Sequence, residues 1–370
     1  MPVVNKVAEV VDQFQHLGAL LGAAPYGNGH INETYAITLA KGSTPRRYIL
    51  QRINREVFKQ PEQVMDNLQK VLTHLRRKLE QAGADDLDRR VLTLLPTDDD
   101  KPYAVDHSGD IWRAFHFIGD ATTFDLMDDP AKAFQAGVAF GQFQNELADF
   151  DARELHETIP DFHHTPRRLE ALQQAIAEDV LSRADEARAE IEHVLSHADW
   201  APVVTDRMAD GRIPMRITHN DTKLNNVMID NDTARAICVI DLDTVMPGSV
   251  LFDFGDLVRT ATNTGREDER DLRKVSCNFD IFVQLAEGYL SVAHFLTDEE
   301  KALLPFSGKL LAYENAIRFL TDYLKGDVYF RIHRETHNLD RCRAQMCLAE
   351  SIHSLEPRMR SHIDAICSRA

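Results

Sequence analysis

The sequence predicts an α+β fold with two lobes, a small N-terminal lobe built on a sheet and a larger, mainly helical C-terminal lobe. β-rich runs flank a turn between residues 26 and 53, and helical stretches cover 130–200 and the chain after 267. The length of 370 residues is also enough for two hydrophobic cores. We place the boundary near Gly119-Asp120, which gives lobes of 1–119 and 120–370.

The N-terminal lobe is predicted to contain two helices and three strands. Apolar residues recur at helical spacing over 3–17 and again over 61–81. The runs 34–39 and 47–53 are typical of strands on either side of a Gly-Ser-Thr-Pro turn at 42–45. The apolar run IWRAFHFI at 111–118 predicts a buried strand that ends at Gly119.

The composition argues against several kinds of partner. The 42 basic and 59 acidic residues give a formal charge of -17, which disfavours nucleic acid and anionic membranes because both need a basic surface. Five cysteines without a C-x-x-C pair indicate reduced thiols. The N-terminal segment lacks the long apolar core of a signal peptide or membrane span. We therefore expect a cytoplasmic monomer.

The strongest chemical signal lies at 217–229, which contains H-x-D-x-x-x-x-N, the spacing of a kinase catalytic loop. Asp221 would take the proton of an acceptor hydroxyl as the bond to phosphorus forms. Asn226 would bind a metal ion through its amide oxygen. His219 would support the loop from inside, and Lys223 would neutralise charge on the transferred phosphoryl group.

A second motif follows at 236–243, where an apolar strand ends in carboxylates. Asp241 is predicted to be the second metal ligand. Strand alternation would place Asp243 on the same side, as another ligand or an outer partner. The letters D-F-G occur later, at Asp253-Phe254-Gly255. We interpret Asp253 as a buried acceptor of hydrogen bonds from the catalytic loop, and not as a metal ligand.

Two further segments are candidates for nucleotide contacts. Glycines near residues 26–32 would let backbone N–H groups approach phosphates, although a plain hairpin turn would look the same. The strand at 115–118 would form an interlobe hinge against adenine, although an ordinary core strand would also fit. The residues predicted here are Gly27, Asn28, Gly29, His30, Asn32, Phe115 and Phe117.

A polar cluster near a C-terminal helix is the candidate acceptor site. The helix is predicted over 310–325 and ends at Gly326. Arg318 and Asp322 lie four residues apart and share a face. The other candidates are Tyr323, Asp327 and Tyr329. The alternative interpretation is an Arg–Asp ion pair at the surface.

The motifs HNDTKLNN, VIDLD and FDFGD resemble the aminoglycoside phosphotransferase-like kinase superfamily, which includes choline, homoserine and methylthioribose kinases. Within it, YGNGHINETY, YILQRIN, IDLDTVMPGSVLFDFGD, EDERDL, LLPFSG and RFLTDYLKGDVYF resemble the N-acetylhexosamine 1-kinases, over nearly the whole chain. The resemblance implies a bilobal protein-kinase-like fold. It also implies transfer from ATP, with Mg²⁺, to the anomeric hydroxyl of N-acetylglucosamine or N-acetylgalactosamine.

One position departs from the superfamily. Many of these kinases carry a lysine on the strand after the glycine loop, paired with a glutamate on the next helix. Here Gln51 or Arg52 stands near that position, and Arg52 would suit phosphate oxygens. Two alternatives to a hexosamine kinase stay open: another small-molecule kinase, for an aminoglycoside, choline or a different sugar, and a silent nucleotide-binding module.

Overall fold

A computed structural model describes residues 3–27, 31–42, 44–124, 127 and 129–369, with side chains from residue 6 onward. The helices, in chain order, are α1 Val3–Val11, α2 Pro61–Gln81, α3 Leu87–Arg90, α4 Pro130–Leu147, α5 Thr165–Glu178, α6 Arg188–Leu195, α7 Pro202–Ala209, α8 Val250–Thr262, α9 Phe279–Leu290, α10 Asp298–Lys325 and α11 His337–Cys367. The strands are β1 Ala19–Pro25, β2 Glu33–Lys41, β3 Thr44–Arg52, β4 Leu94–Leu95, β5 Ala104–Val105, β6 Ile111–His116, β7 Ala121–Thr122, β8 Arg216–Thr218, β9 Val227–Asp230, β10 Ala236–Val239 and β11 Met246–Gly248.

The chain forms two compact units. The first comprises Met1–Thr122, Asp149–Pro160 and Met228–Met246, and the second comprises Thr123–Ala148, Asp161–Val227 and Pro247–Ala370. Each unit is assembled from three separate segments of the chain, so no single residue divides the two units. The lobe boundary near Gly119 therefore stays a prediction.

The first unit is built on an antiparallel sheet with the order β1-β2-β3-β6-β4, and β5 also pairs with β6. β2 alternates buried and partly exposed residues, as expected for a strand with one face on a core. Ile37, Leu39 and Leu50 pack with Phe14 and Trp112 in that core. β6 is buried on both faces, because its first five residues are all buried.

The second unit is mainly helical. α10 packs against α11 and α8, and α4 packs against α9. Two glycines allow α4 and α9 to approach closely. A Cβ at Gly137 would meet the backbone of Leu285 and Tyr289, and a Cβ at Gly288 would meet the carbonyl of Phe134.

The predicted fold class is confirmed, with an antiparallel sheet in the N-terminal part and helices in the C-terminal part. The helix over 61–81 has the predicted bounds. The helix predicted over 310–325 begins earlier, at Asp298, where Thr297 and Glu300 form a capping box, and it ends at Gly326 in the left-handed conformation. Among the described residues, no helix combines the length and apolar character needed to cross a membrane.

Candidate active site

The catalytic loop begins where β8 ends. Lys223 Nζ lies 2.7 Å from one carboxylate oxygen of Asp221, and both side chains remain partly exposed. Asn226 Nδ2 lies 2.8 Å from the backbone oxygen of Asp221, to which it donates a hydrogen bond. The loop therefore holds a carboxylate, a cation and an amide in one place, within the helical unit.

Asp253, on α8, fixes the backbone of this loop. Its carboxylate accepts hydrogen bonds from the backbone N–H groups of His219 at 2.8 Å and Asn220 at 2.7 Å. Gln144 donates a third bond at 2.6 Å. Burial raises the pKa of Asp253, although His219 and these hydrogen bonds act in the opposite direction. The prediction that Asp253 is a buried hydrogen-bond acceptor for the loop is confirmed.

His219 is fully buried, and its ring makes edge contacts with Phe140 and Phe143. The ring Nδ1 lies 3.3 Å from the backbone N–H of Asp221. His219 therefore positions the backbone of Asp221, in agreement with the predicted support from inside the loop.

The neighbouring Asp221 carboxylate favours the protonated, positively charged form of Lys223. Burial would lower the pKa of Lys223, but the Asp221 carboxylate raises it through charge and a hydrogen bond, and the net direction is upward. Lys223 therefore stays cationic over the whole neutral range. That is the state required of a group that neutralises a phosphoryl oxygen.

Two buried ion pairs lie close to the loop, and sequence reasoning missed both. Asp256 pairs with Arg259 at 2.8 Å. Glu314 pairs with His163 Nδ1 at 2.8 Å, while Nε2 of the same ring lies 3.3 Å from the carbonyl oxygen of Asn220. A carbonyl can only accept, so both ring nitrogens of His163 carry protons. Burial lowers the pKa of His163, but Glu314 raises it further, and the net direction is upward.

The conformation of the chain that carries the two carboxylates after β10 differs from the prediction. The strand ends at Val239, and Asp241 takes a left-handed conformation, with φ of 62°, before a short 3₁₀ turn at Leu242–Thr244. The alternation argument that placed Asp241 and Asp243 on one side is therefore wrong, because neither residue belongs to the strand. Asp241 is exposed and Asp243 is buried.

Asp243 binds partners within the sheet unit. Its carboxylate lies 2.5 Å from Arg113 and accepts a hydrogen bond from Asn32. Arg113 also donates to the side-chain oxygen of Gln51, at 2.9 and 3.1 Å. Asn32, Gln51 and Asp243, which were predicted to contact nucleotide or metal, are thus brought together around one arginine.

Arg113 is a candidate functional residue that sequence reasoning missed. Its side chain is only 2% exposed, although it is a cation in the middle of β6. Buried arginines are rare unless they are paired, so the single charge inside IWRAFHFI was the available signal. In the sheet register Arg113 lies opposite Gln51 of β3, the strand that carries a lysine in many of these kinases.

Arg52 occupies a different environment. It pairs with Glu33 and, at 2.7 Å, with Asp110. The hydrogen bond from Arg52 is the main cause of the lowered pKa of Glu33. Two carboxylates therefore already neutralise Arg52, and its role as a phosphate ligand stays a prediction.

The remaining nucleotide candidates are only partly described. Gly27 has a φ of 79°, the left-handed region that favours glycine. Asn28, Gly29 and His30 lie outside the described residues. Phe115 is buried in β6, and the guanidinium of Arg47 lies 3.7 Å from the ring centre of Phe117.

The predicted acceptor cluster is organised around a buried amide. Asn338 donates to Asp322 at 2.9 Å and to Asp327 at 2.8 Å. Asp322 also accepts backbone N–H groups of Val328, Tyr329 and Phe330. These contacts give Asp322 a structural role at the end of α10, in place of the surface ion pair considered above.

The other members of the cluster differ in exposure. Tyr323 is buried beneath the guanidinium of Arg183, whereas the Tyr329 side chain is 63% exposed. Arg318 lies between the rings of Phe162 and Phe330, at 5.6 and 5.4 Å from their centres. Arg318 also donates a long hydrogen bond, of 3.4 Å, to the buried Asn315, so Tyr329 is the predicted acceptor residue that is clearly exposed.

Comparison with known proteins places the chain in a family. Residues 22–276, more than half of the chain, match the phosphotransferase enzyme family. An aminoglycoside phosphotransferase from Alicyclobacillus acidocaldarius subsp. acidocaldarius has a TM-score of 0.64 at 15% identity, with 96% of each chain covered. A spectinomycin phosphotransferase, solved with ADP and spectinomycin, has a TM-score of 0.57 at 14% identity, covering 97% of this chain and 100% of the other.

A macrolide 2'-phosphotransferase from Brachybacterium faecium has a TM-score of 0.53 at 13% identity, covering 92% of this chain and 97% of the other. At such identities the likeness shows a common fold, and it agrees with the predicted fold class. The family match independently bears out the resemblance to the aminoglycoside phosphotransferase-like kinases. The chain therefore belongs to the phosphotransferase enzyme family.

Proposed function

We propose that this protein transfers the terminal phosphoryl group of ATP to the anomeric hydroxyl of N-acetylglucosamine or N-acetylgalactosamine. The family supplies the reaction type, and the motifs shared with N-acetylhexosamine 1-kinases supply the acceptor. Asp221 takes the proton of the hydroxyl that attacks phosphorus. Lys223, held as a cation by Asp221, stabilises charge on the transferred group.

Asn226 and Asp241 are the proposed ligands of Mg²⁺. Asn226 fits this role because its amide nitrogen donates a hydrogen bond to the backbone carbonyl of Asp221. Its amide oxygen is the group that can bind a cation. Oxygen is the donor that Mg²⁺ prefers, and the exposed Asp241 adds a carboxylate. When bound, Mg²⁺ neutralises charge on the phosphates of ATP.

The balance of charge around Asp221 is the observation that favours a neutral acceptor. In the helical unit, Asp221 pairs with Lys223, Asp256 with Arg259, and Glu314 with His163. Each of these three acidic groups thus has a basic partner. A polycationic aminoglycoside or a choline would gain little attraction from these three pairs, because each pair is close to neutral as a whole.

Arg318 adds a further cation beside these pairs. It affects the pKa of both His163 and Glu314, which shows that its charge acts on the same cluster. Its position against Phe162 and Phe330 combines a hydrogen-bond donor with apolar rings. A sugar presents hydroxyls and an apolar face, so this combination supports a sugar acceptor over an amine.

Phosphorus NMR with a panel of acceptors tests the proposal. The protein would be incubated with ATP, Mg²⁺ and, in separate samples, N-acetylglucosamine, N-acetylgalactosamine, an aminoglycoside and choline. We expect a sugar 1-phosphate signal from at least one N-acetylhexosamine, and none in the Asp221→Asn variant. Phosphorylation of only the aminoglycoside or choline would overturn the proposed acceptor. Nucleotide binding without turnover on any acceptor would favour the silent module.

A further inference from the structure

A cluster of two histidines and a glutamate lies apart from the catalytic loop, in the same helical unit. One ring nitrogen of His193, one of His197 and one carboxylate oxygen of Glu350 lie within 4.8 Å of one another. His193 lies on α6, His197 follows the end of that helix, and Glu350 lies on α11. We infer that these three side chains bind a zinc ion that joins α6 to α11, with water as the fourth ligand.

The hydrogen bonds of His197 prepare it as a ligand. Its Nδ1 lies 3.0 Å from the backbone oxygen of His193, and 3.0 Å from Ser196 Oγ. Since a carbonyl oxygen can only accept, Nδ1 carries the hydrogen and the lone pair of the neutral ring is on Nε2. Histidine ligands of metals are typically oriented in this way, by a hydrogen bond from the other ring nitrogen.

The pair formed by His193 and Glu350 supplies the other two donors. His193 Nε2 lies 2.6 Å from Glu350 Oε1. Donors around a tetrahedral zinc ion lie about 3.3 Å apart, given metal–donor distances of about 2.0–2.2 Å, so this contact must open slightly. Both side chains can move, because His193 is 37% exposed and Glu350 is 49% exposed. The same exposure admits the water ligand.

The backbone that carries the cluster is held in place by contacts on either side. Tyr313 donates a hydrogen bond to the backbone oxygen of Val194 at 3.0 Å. Arg343 on α11 pairs with Glu190 on α6 at 2.7 Å. The ring of His197 lies 4.3 Å from that of Trp200, which limits its rotation. The backbone that carries the ligands and the ring of His197 therefore need little ordering when a metal binds, which favours affinity.

The chemistry of the donors selects the class of metal. Two imidazole nitrogens and one carboxylate suit zinc and related first-row ions, whereas Mg²⁺ prefers oxygen ligands. A plain hydrogen bond between His193 and Glu350 is the simpler explanation of that contact. That hydrogen bond does not account for the third possible ligand, a ring nitrogen of His197, which lies within 4.8 Å of the other two ligand atoms. Zinc titration separates a metal site from a plain hydrogen bond.

Calorimetry with ZnCl₂ is the test, carried out on the full chain after treatment with a chelator, without nucleotide and with excess MgCl₂. We expect one strong zinc site per chain. His197→Gln and Glu350→Gln should each weaken it at least about tenfold, equivalent to about 1.4 kcal/mol. His294→Gln, which removes an exposed histidine outside the cluster, is the matched control and should bind as the wild type does.

Thermal unfolding provides a second readout. Zinc should raise the Tm of the wild type and of His294→Gln, and should raise that of His197→Gln less at the same zinc concentration, because stabilisation depends on affinity for the folded state. Equal metal-free Tm values would show that His197→Gln folds normally. The inference is overturned if the wild type binds no zinc, or if His197→Gln binds it as tightly as the wild type does.

Discussion

At the scale of single residues, the buried carboxylate of Asp253 determines the shape of the catalytic loop. It accepts hydrogen bonds from two consecutive backbone N–H groups, those of His219 and Asn220. Asn220 can then take a left-handed conformation, with φ of 64°, immediately before Asp221. The position of the proposed base therefore depends on a carboxylate 32 residues later in the chain.

Asp253→Asn should lower stability and turnover together. Asparagine replaces one acceptor oxygen by a donor, so one of the two backbone N–H groups loses its partner whichever way the amide is oriented. We expect a loss of about 1–3 kcal/mol in the free energy of unfolding, measured by urea denaturation, with a parallel fall in kcat. The exposed Asp99→Asn is the control and should change neither quantity.

Asp221→Asn should separate chemistry from binding. The amide cannot take a proton, so we expect turnover to fall by roughly 10²–10⁴-fold. Nucleotide affinity, measured by calorimetry, should change little because Asp221 is not proposed to contact ATP. A variant with wild-type turnover would contradict the role of Asp221 as the base.

Some of these residues could be predicted from the sequence, and others could not. The spacing of His219, Asp221 and Asn226 is local, so a short motif carries it. Arg113 and His163 were missed because their partners are remote in sequence: Asp243 lies 130 residues from Arg113, and Glu314 lies 151 residues from His163. Nothing in a single sequence encodes such pairings.

At the scale of elements, hydrophobic periodicity found helices but did not always place their ends, since α1 stops at Val11 and α10 begins at Asp298. Strand ends were also placed poorly. α2 has the predicted bounds because Pro61 at its first turn and a long apolar face mark it clearly. β10 was extended too far, since the apolar run through Ile240 and Leu242 continues past the strand. Leu242 is buried in the 3₁₀ turn instead, so burial alone did not distinguish the two conformations.

The close contact between α4 and α9 gives a prediction at this scale. Gly137→Ala would push a methyl group against the backbone of Leu285 and Tyr289, so the two helices must separate. We expect a loss of about 1–3 kcal/mol in the free energy of unfolding, as for other overpacked cores. Gly119→Ala, where a Cβ would meet nothing within 4 Å, is the control and should be close to neutral. Equal stability of the two variants would contradict the close approach.

At the scale of the whole molecule, the two buried ion pairs near the catalytic loop make stability depend on pH. Burial would raise the pKa of Glu314, but His163 and two hydrogen bonds lower it from its ordinary 4.5. Its contribution is complete above 4.5 and is lost as pH falls through the lowered value. His163 has the opposite sign. Its contribution is complete below its ordinary pKa of 6.5 and is lost as pH rises through the raised value.

The advantage of the wild type over Glu314→Gln should therefore be largest around pH 4.5–6.5 and decline on both sides. At that maximum we expect a difference of about 3–5 kcal/mol, typical of a buried pair that loses one partner. Urea denaturation at about six pH values between pH 3 and pH 9 measures this difference in the free energy of unfolding. Asp151→Asn, in an exposed pair with Arg153, is the control. A difference that does not vary with pH would rule out an ion pair.

The central proposal is that Asn226 and Asp241 are ligands of the divalent cation that accompanies ATP. Calorimetry of ATP binding with and without Mg²⁺, on the wild type and on Asn226→Ala and Asp241→Ala, tests it most directly. We predict that Mg²⁺ strengthens ATP binding by the wild type and that each variant loses at least about tenfold of that gain, or about 1.4 kcal/mol. Asp232→Asn, at an exposed position after β9, should retain it. An undiminished effect of Mg²⁺ in Asn226→Ala and Asp241→Ala would contradict the account.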